Sequence, residues 1–156
     1  MQIENDVYPV GAEQRAGLFE KGPTGPIFMV NLLKFRDRAE YDDGRETALS
    51  GRDAYMIYGR AVTQLLPKFG GLGFFAADVT SLSLGRVEEL WDEVAIACYP
   101  ERGAMVRMSM SPEWQAIAVH RSAGLKGQLN IETVLNKDAA MTPWMAAIIA
   151  QIGDGS

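Results

Sequence analysis

Apolar residues along this chain recur with two different periods, and the changes of period mark its elements. Ile27-Phe28-Met29-Val30-Asn31-Leu32-Leu33-Lys34-Phe35 follows a Pro/Gly break and is apolar at nearly every position. A strand sends successive side chains to opposite faces. Ile27, Met29, Asn31, Leu33 and Phe35 then share one face, and Phe28, Val30, Leu32 and Lys34 the other. Both faces are mainly apolar, so the strand should be covered on both sides. Asn31 interrupts the run. A buried amide costs about 1–3 kcal/mol if left unpaired, so backbone, water or ligand should meet it; an amide pinning strand register and a ligand contact both fit. Lys34 is expected at the strand end, with its ammonium reaching water.

The helical period appears next. Ala54, Ile57, Tyr58, Ala61, Val62, Leu65 and Leu66 recur at i, i+3, i+4 and i+7. Ser50 is the natural N-cap, Asp53 sits where a carboxylate can reach back, and Pro67 with Gly70-Gly71 ends the helix. Before the central strand, residues 1–10 read as an extended lead-in and Glu13–Lys21 as a short helix burying Ala16, Leu18 and Phe19. Arg36–Arg45 reads as a surface loop turning at Asp42-Asp43-Gly44. Further on, Phe74–Leu82 and Leu90–Tyr99 read as strands. The second of these carries Trp91, Glu93, Ala95, Ala97 and Tyr99 on one face. Pro100 opens a short helix to Met108 that buries Met105 and Met108. Ser111 caps another running from Pro112 to Gly124, Gly127–Leu135 is the last strand, and Thr142-Pro143 opens a terminal helix.

Strand, helix, strand, strand, helix, strand is the split βαβ pattern of an α+β, ferredoxin-like domain: an antiparallel sheet with helices on one face. The chain of 156 residues is expected to form a single domain, with a core over 22–137, an N-terminal extension over 1–21 and a helical tail over 138–156. Since the central strand is apolar on both sides, the sheet's second face needs a cover, and a second copy is the simplest one.

Composition narrows the function classes. A net charge of −5 without a Lys/Arg cluster argues against nucleic acid or an anionic membrane as the main partner. One cysteine, Cys98, excludes an internal disulfide framework and fits a reducing compartment. The polar, acidic start is unlike a signal peptide, and no apolar run reaches the roughly 20 residues of a membrane span. A cytoplasmic location is therefore expected.

Met29-Val30-Asn31-Leu32-Leu33-Lys34-Phe35, Gly51-Arg52-Asp53-Ala54-Tyr55, Tyr99-Pro100, Ser111-Pro112-Glu113-Trp114 and His120-Arg121 together resemble the family catalogued as domain of unknown function 1330. The resemblance runs from about Ile27 to Glu132, with the motifs in order. It implies a ferredoxin-like protomer pairing as a dimeric α/β barrel. That wider superfamily includes cofactor-free monooxygenases, lactone isomerases and, more distantly, haem enzymes. The family has no agreed activity, so no catalytic residue is carried over from it.

The residues themselves supply the candidates. With one histidine and one cysteine, a zinc site of His and Cys is excluded by count, though His120 suffices for one axial haem ligand. On a helical wheel at about 100° per residue, Arg121 falls among Trp114, Ile117 and Ala118, within the apolar stripe. A buried guanidinium must be paired. Glu132 and Glu93 are the obvious partners for a structural tie, and a substrate carboxylate or enolate is the functional alternative. Tyr55, Tyr58, Trp91 and Tyr99 are aromatic positions that normally fill a core; with Asn31 they could line a small-molecule pocket, with Arg102 at its mouth. No Gly-rich phosphate loop, Ser/His/Asp spacing or paired cysteine is present. The expectation is a homodimeric small-molecule-binding protein, with no bound metal or cofactor. If it is an enzyme, cofactor-free monooxygenase- or isomerase-like chemistry on a small acidic or aromatic substrate fits best, with His120 as base and Arg121 and Asn31 stabilising the anion. The alternatives are a non-catalytic ligand-binding or stress-response module and a haem-binding protein.

Overall fold

The computed structural model describes residues 11–136, 138 and 141–152; the lead-in expected over 1–10 lies outside them. The central run forms β1 (Ile27–Phe35) after a first helix, α1 (Gly11–Phe19). Helix α2 (Gly51–Leu65) follows, with the Ser50 hydroxyl accepting the Asp53 N–H as the cap motif demands. Pro67 cannot supply a helical N–H, and the chain tightens there into a 3₁₀ turn (Leu66–Phe69) closed by Gly70 at φ 77°. Strands β2 (Leu72–Asp78) and β3 (Glu93–Tyr99), helices α3 (Arg102–Ser109) and α4 (Pro112–Gly124), strand β4 (Leu125–Thr133) and helix α5 (Pro143–Ile149) complete the order. The sheet is antiparallel throughout, in the order β2-β3-β1-β4. This is the expected α+β, ferredoxin-like arrangement.

The odd face of β1 meets the helices. Ile27, Met29 and Tyr99 pack with Leu65, Leu66 and Met108, while Leu33 and Phe35 pack with Tyr55, Tyr58 and Leu125. Two glycines permit the close approach of α2 and α4: a Cβ on Gly51 or Gly124 would collide with the other's carbonyl oxygen. The loop expected over Arg36–Arg45 is more firmly held than a surface loop need be. Arg36 N–H donates to Gly124 O at 2.9 Å and Glu40 N–H to Ala123 O at 3.0 Å, and Ala39 is buried.

Several expected boundaries move. β3 starts at Glu93 rather than Leu90, because the Asp92 carboxylate turns back to accept Phe35 N–H at 2.8 Å and the Lys34 ammonium at 3.0 Å. That contact, with Leu90 O at 2.9 Å, holds Lys34 in a polar clasp instead of open water. β2 runs earlier than expected and is bulged between Gly73 and Phe75; beyond it Leu82 and Leu84 are exposed. Helix α1 buries none of its residues, and Phe19 is 71% exposed, contrary to the packing expected of Phe19.

The outer face of the sheet is covered in part by the chain's own C-terminal segment. Phe28 and Cys98 are buried with Ile152, against Leu72, Phe74 and Ile149, and the Trp144 ring lies 5.6 Å from that of Phe74. Away from α5 the same face leaves Phe75 48% and Ile131 45% exposed. Val30 and Leu32 beside Ile131 are half-buried.

Candidate functional site

Side-chain size opens a cavity between sheet and helices. Along β3 the helix-facing positions between Glu93 and Tyr99 are only Ala95 and Ala97, and their neighbours on β2 are Ala76 and Gly73. Small residues there leave the helices no side chains to interdigitate with. The result is an open cavity of about 1580 Å³, larger than the roughly 300–1,000 Å³ usual for a small-molecule site. Its floor is polar on the β1–β4 side. Asn31 pairs with Asn130 across the ladder, with Gln128 and Glu132 two residues to either side on the same face of β4.

Asn31, Gln128 and Asn130 form one chain of hydrogen bonds with Arg121. Arg121 donates to the Gln128 amide oxygen. Gln128 donates at 2.7 Å, and Asn130 also donates, to the Asn31 amide oxygen. Asn31 spends its own N–H groups on Met29 O at 3.1 Å and Ala95 O at 3.2 Å. Of the partners expected for it, backbone carbonyls meet its N–H groups, and the Gln128 and Asn130 amides, not foreseen, meet its oxygen; the whole row faces the cavity.

Aromatic residues form the walls. Tyr58 accepts from Trp114 Nε1 at 3.3 Å, and the Tyr55 and Tyr58 rings are 5.5 Å apart. Tyr55, Tyr58 and Tyr99 are all at least nine-tenths buried and all line the cavity. The hydroxyls of Tyr55 and Tyr99 have no hydrogen-bond partner among the described residues. Burial pushes all three phenols above their ordinary range, partly opposed by the positive charge of Arg121. At neutral pH they are therefore protonated donors.

Arg102 stands at one end. It grips Glu132 through two contacts of 2.7 Å and donates to the backbone oxygens of Gly17 at 3.0 Å and Glu20 at 3.3 Å. Helix α1 is thereby tied over the cavity end that Gly17, Leu18 and Glu20 line. The Arg102 hydrogen bonds hold the Glu132 carboxyl below its ordinary range. Glu132, offered by the sequence as a partner for Arg121, is engaged by Arg102, and Glu93 by Arg52 at 3.5 Å.

The structure brings together Asn31, Tyr55, Tyr58, Tyr99, Arg102 and Arg121. It does not bring His120 or Trp91 to them. His120 lies one helical step from Arg121, about 100° around α4, and turns to the loop after β1, where its Nδ1 is 2.7 Å from the Tyr41 hydroxyl. Partial burial and the nearby Arg45 charge lower its pKa. Both a catalytic base and an axial haem ligand in this cavity would need His120 elsewhere. Trp91 precedes the shortened β3 and is buried outside the cavity lining.

Sequence reasoning passed over Glu93, Gln128 and Asn130 as site residues. Gln128, Asn130 and Glu132 alternate with Leu129 and Ile131, a pattern that ordinarily puts the polar side in water. Here the polar side faces the helices and the apolar side faces outward. Glu93 was visible as the one carboxylate in the aliphatic run of β3. It is 8% exposed and lines the cavity, and burial raises its pKa, with Arg52 opposing and Asp78 adding to the shift.

No family model matches the chain, and no curated protein matches it. Among solved structures, a looser likeness (TM-score 0.47, 13% identity) joins 72% of the chain to 98% of a DABB family protein with a ferredoxin-like fold from Mesorhizobium loti. The RPA0582 protein of unknown function from Rhodopseudomonas palustris is similar at 30% identity over 86% of this chain and 99% of its own, with a TM-score of 0.75. Its methylated form gives 32% identity, coverage of 87% and 98%, and a TM-score of 0.77. With that identity held over nearly the whole of the relative, the chain belongs to the same family as the RPA0582 protein.

Proposed function

We propose that this chain binds a small aromatic or acidic molecule in the cavity between its sheet and helices. The observation that carries the reading is the pair of phenol hydroxyls on the cavity-lining residues Tyr55 and Tyr99, which have no hydrogen-bond partner among the described residues. Both hydroxyls keep access to the cavity rather than being sealed in the core, so each can donate to a ligand oxygen bound there. Tyr58 and Trp114 offer aromatic walls, and Arg121 with its amide row offers a cationic, donor-rich end. Arg121, with Gln128 and Asn130, supplies the polar ligand contacts in this reading, while Asn31 holds that amide row and Arg102 holds the cavity end in place. The protomer pairs as a homodimer through the outer sheet face around Phe75, Val30, Leu32 and Ile131, in the manner of the dimeric α/β barrels that the domain of unknown function 1330 resemblance implies. Partial exposure of that apolar face supports the pairing.

Native mass spectrometry of protein purified from its host, with Trp fluorescence titrated by phenylpyruvate and phenylacetate, tests both parts. A dimer, and saturable quenching weakened at least tenfold in Tyr99→Phe or Arg121→Met, is expected. A monomer at every concentration overturns the pairing. Absence of saturable binding by either acid overturns the ligand class.

A further inference from the structure

Glu93 occupies a place the binding role does not require. It stands on the helix face of β3, paired across the ladder with Asp78 of β2 on one side and Leu33 of β1 on the other. Its side chain lines the cavity and is 10% exposed. Its charged neighbour on α2, Arg52, is 3.5 Å away but lies closer to Asp78, at 2.8 Å. Two carboxylates thus share one guanidinium, and the tighter contact goes to Asp78, at the rim. Glu93 is left as a buried carboxylate with one long ion pair and a face open to the cavity. Tyr55, whose hydroxyl has no hydrogen-bond partner among the described residues, lies close enough on α2 to feel the Glu93 charge.

We propose that Glu93 is a general base, and that the chain catalyses proton transfer on an enolisable aromatic keto acid bound in the cavity. The inference rests on the small-molecule reading above and names its substrate class. Neighbouring strands are about 4.8 Å apart and alternate residues about 7 Å apart along a strand. A one-ring keto acid lying over Ala95 therefore spans from Glu93 to the amide row at Asn31. The Glu93 carboxylate takes a proton from the carbon beside the ketone. The C–H pair becomes the C=C bond, and the carbonyl π pair moves onto oxygen. That oxygen accepts a hydrogen bond from the Tyr55 hydroxyl, which keeps its proton at neutral pH. Glu93 then returns the proton to the oxygen, giving the enol; the reverse path restores the ketone. No oxidant, reductant or second substrate enters. Burial, which holds the Glu93 carboxyl above its ordinary range, moves its basicity toward that useful in such a step.

The test uses phenylpyruvate with the full-length chain. Proton NMR in D₂O follows loss of the side-chain CH₂ signal, and Trp fluorescence separately reports binding. The wild type should accelerate exchange above buffer, with a rate that rises with pH through the Glu93 pKa. Glu93→Gln keeps the shape and removes the base; it should lower exchange by about 100-fold or more while the Kd changes less than about threefold. Glu93→Asp keeps the charge but draws it back by one carbon; it should also bind normally and exchange slowly, which guards against a poorly folded Gln variant. Binding without accelerated exchange in the wild type overturns this proposal and leaves the binding reading intact. Exchange by Glu93→Gln within threefold of wild type does the same. Failure of the wild type to bind phenylpyruvate at all overturns both.

Discussion

Replacing Ala95 by leucine tests whether the cavity is space the fold has left open. Ala95 faces the helices at the centre of the floor, opposite Asn31 on β1 and Ala76 on β2. The Asn31 amide bonds its backbone oxygen, so the substitution leaves that contact in place. Leucine adds three carbons, roughly 60–80 Å² of apolar surface, which at about 25 cal/mol per Å² is worth about 1.5–2 kcal/mol when buried. Ordering the longer side chain costs about 0.5–1 kcal/mol. The net expectation is a gain of about 1 kcal/mol, or about 2–4 °C in Tm for a chain of this size. Binding of phenylpyruvate should fall at least tenfold, because the added carbons occupy the ligand's place. Urea unfolding with an unchanged slope measures the first quantity, and fluorescence titration the second. A loss of 1 kcal/mol or more, the usual signature of overpacking, together with unchanged binding, would refute both the open floor and the ligand placement.

Two other outcomes follow from local geometry. Tyr55, Tyr58 and Tyr99 have folded-state pKa values raised by burial. Their contribution is fully present below the unfolded value of about 10 and is lost as pH rises toward the folded values. The urea midpoint should therefore drop steeply above pH 10, with tyrosinate absorbance growing as the chain unfolds; ordinary titration of these phenols in the folded protein would contradict their burial. Gly124→Ala should cost about 1–3 kcal/mol or more by urea unfolding, since its Cβ would press on Gly51 O and lie 2.8 Å from Tyr55 N. A change under about 0.5 kcal/mol would show that α2 and α4 are not in backbone contact.

Much of the fold was legible because its signals are local. The Ser50, Ser111 and Thr142 caps each accept the N–H three residues on, and cap chemistry depends on neighbours in sequence. The two apolar faces of β1 were likewise readable from alternation. The boundary of β3 was not, because Asp92 bonds Lys34 and Phe35 across the sheet, a contact distant in the chain. The site was legible as a set of residue types. Asn31, the tyrosines and Arg121 could be chosen by their place in apolar surroundings, but His120 sits beside Arg121 in sequence and one helical step is enough to turn it away.

The sequence by itself determined the element order, and with it the antiparallel sheet and its helical cover, since periodicity and punctuation are properties of short stretches. Only the tertiary structure decided which face of each strand looks inward. On β4 the polar residues face the helices and the apolar ones face out, the reverse of the usual pattern. The pairing of Arg102 with Glu132, the near-neighbour position of Arg52 between two carboxylates, and the burial of Glu93 against a floor of alanines were likewise settled there. Each depends on residues tens of positions apart meeting across a packed interface, where the free energy of a charge or an amide is set by surroundings its own stretch of chain does not contain.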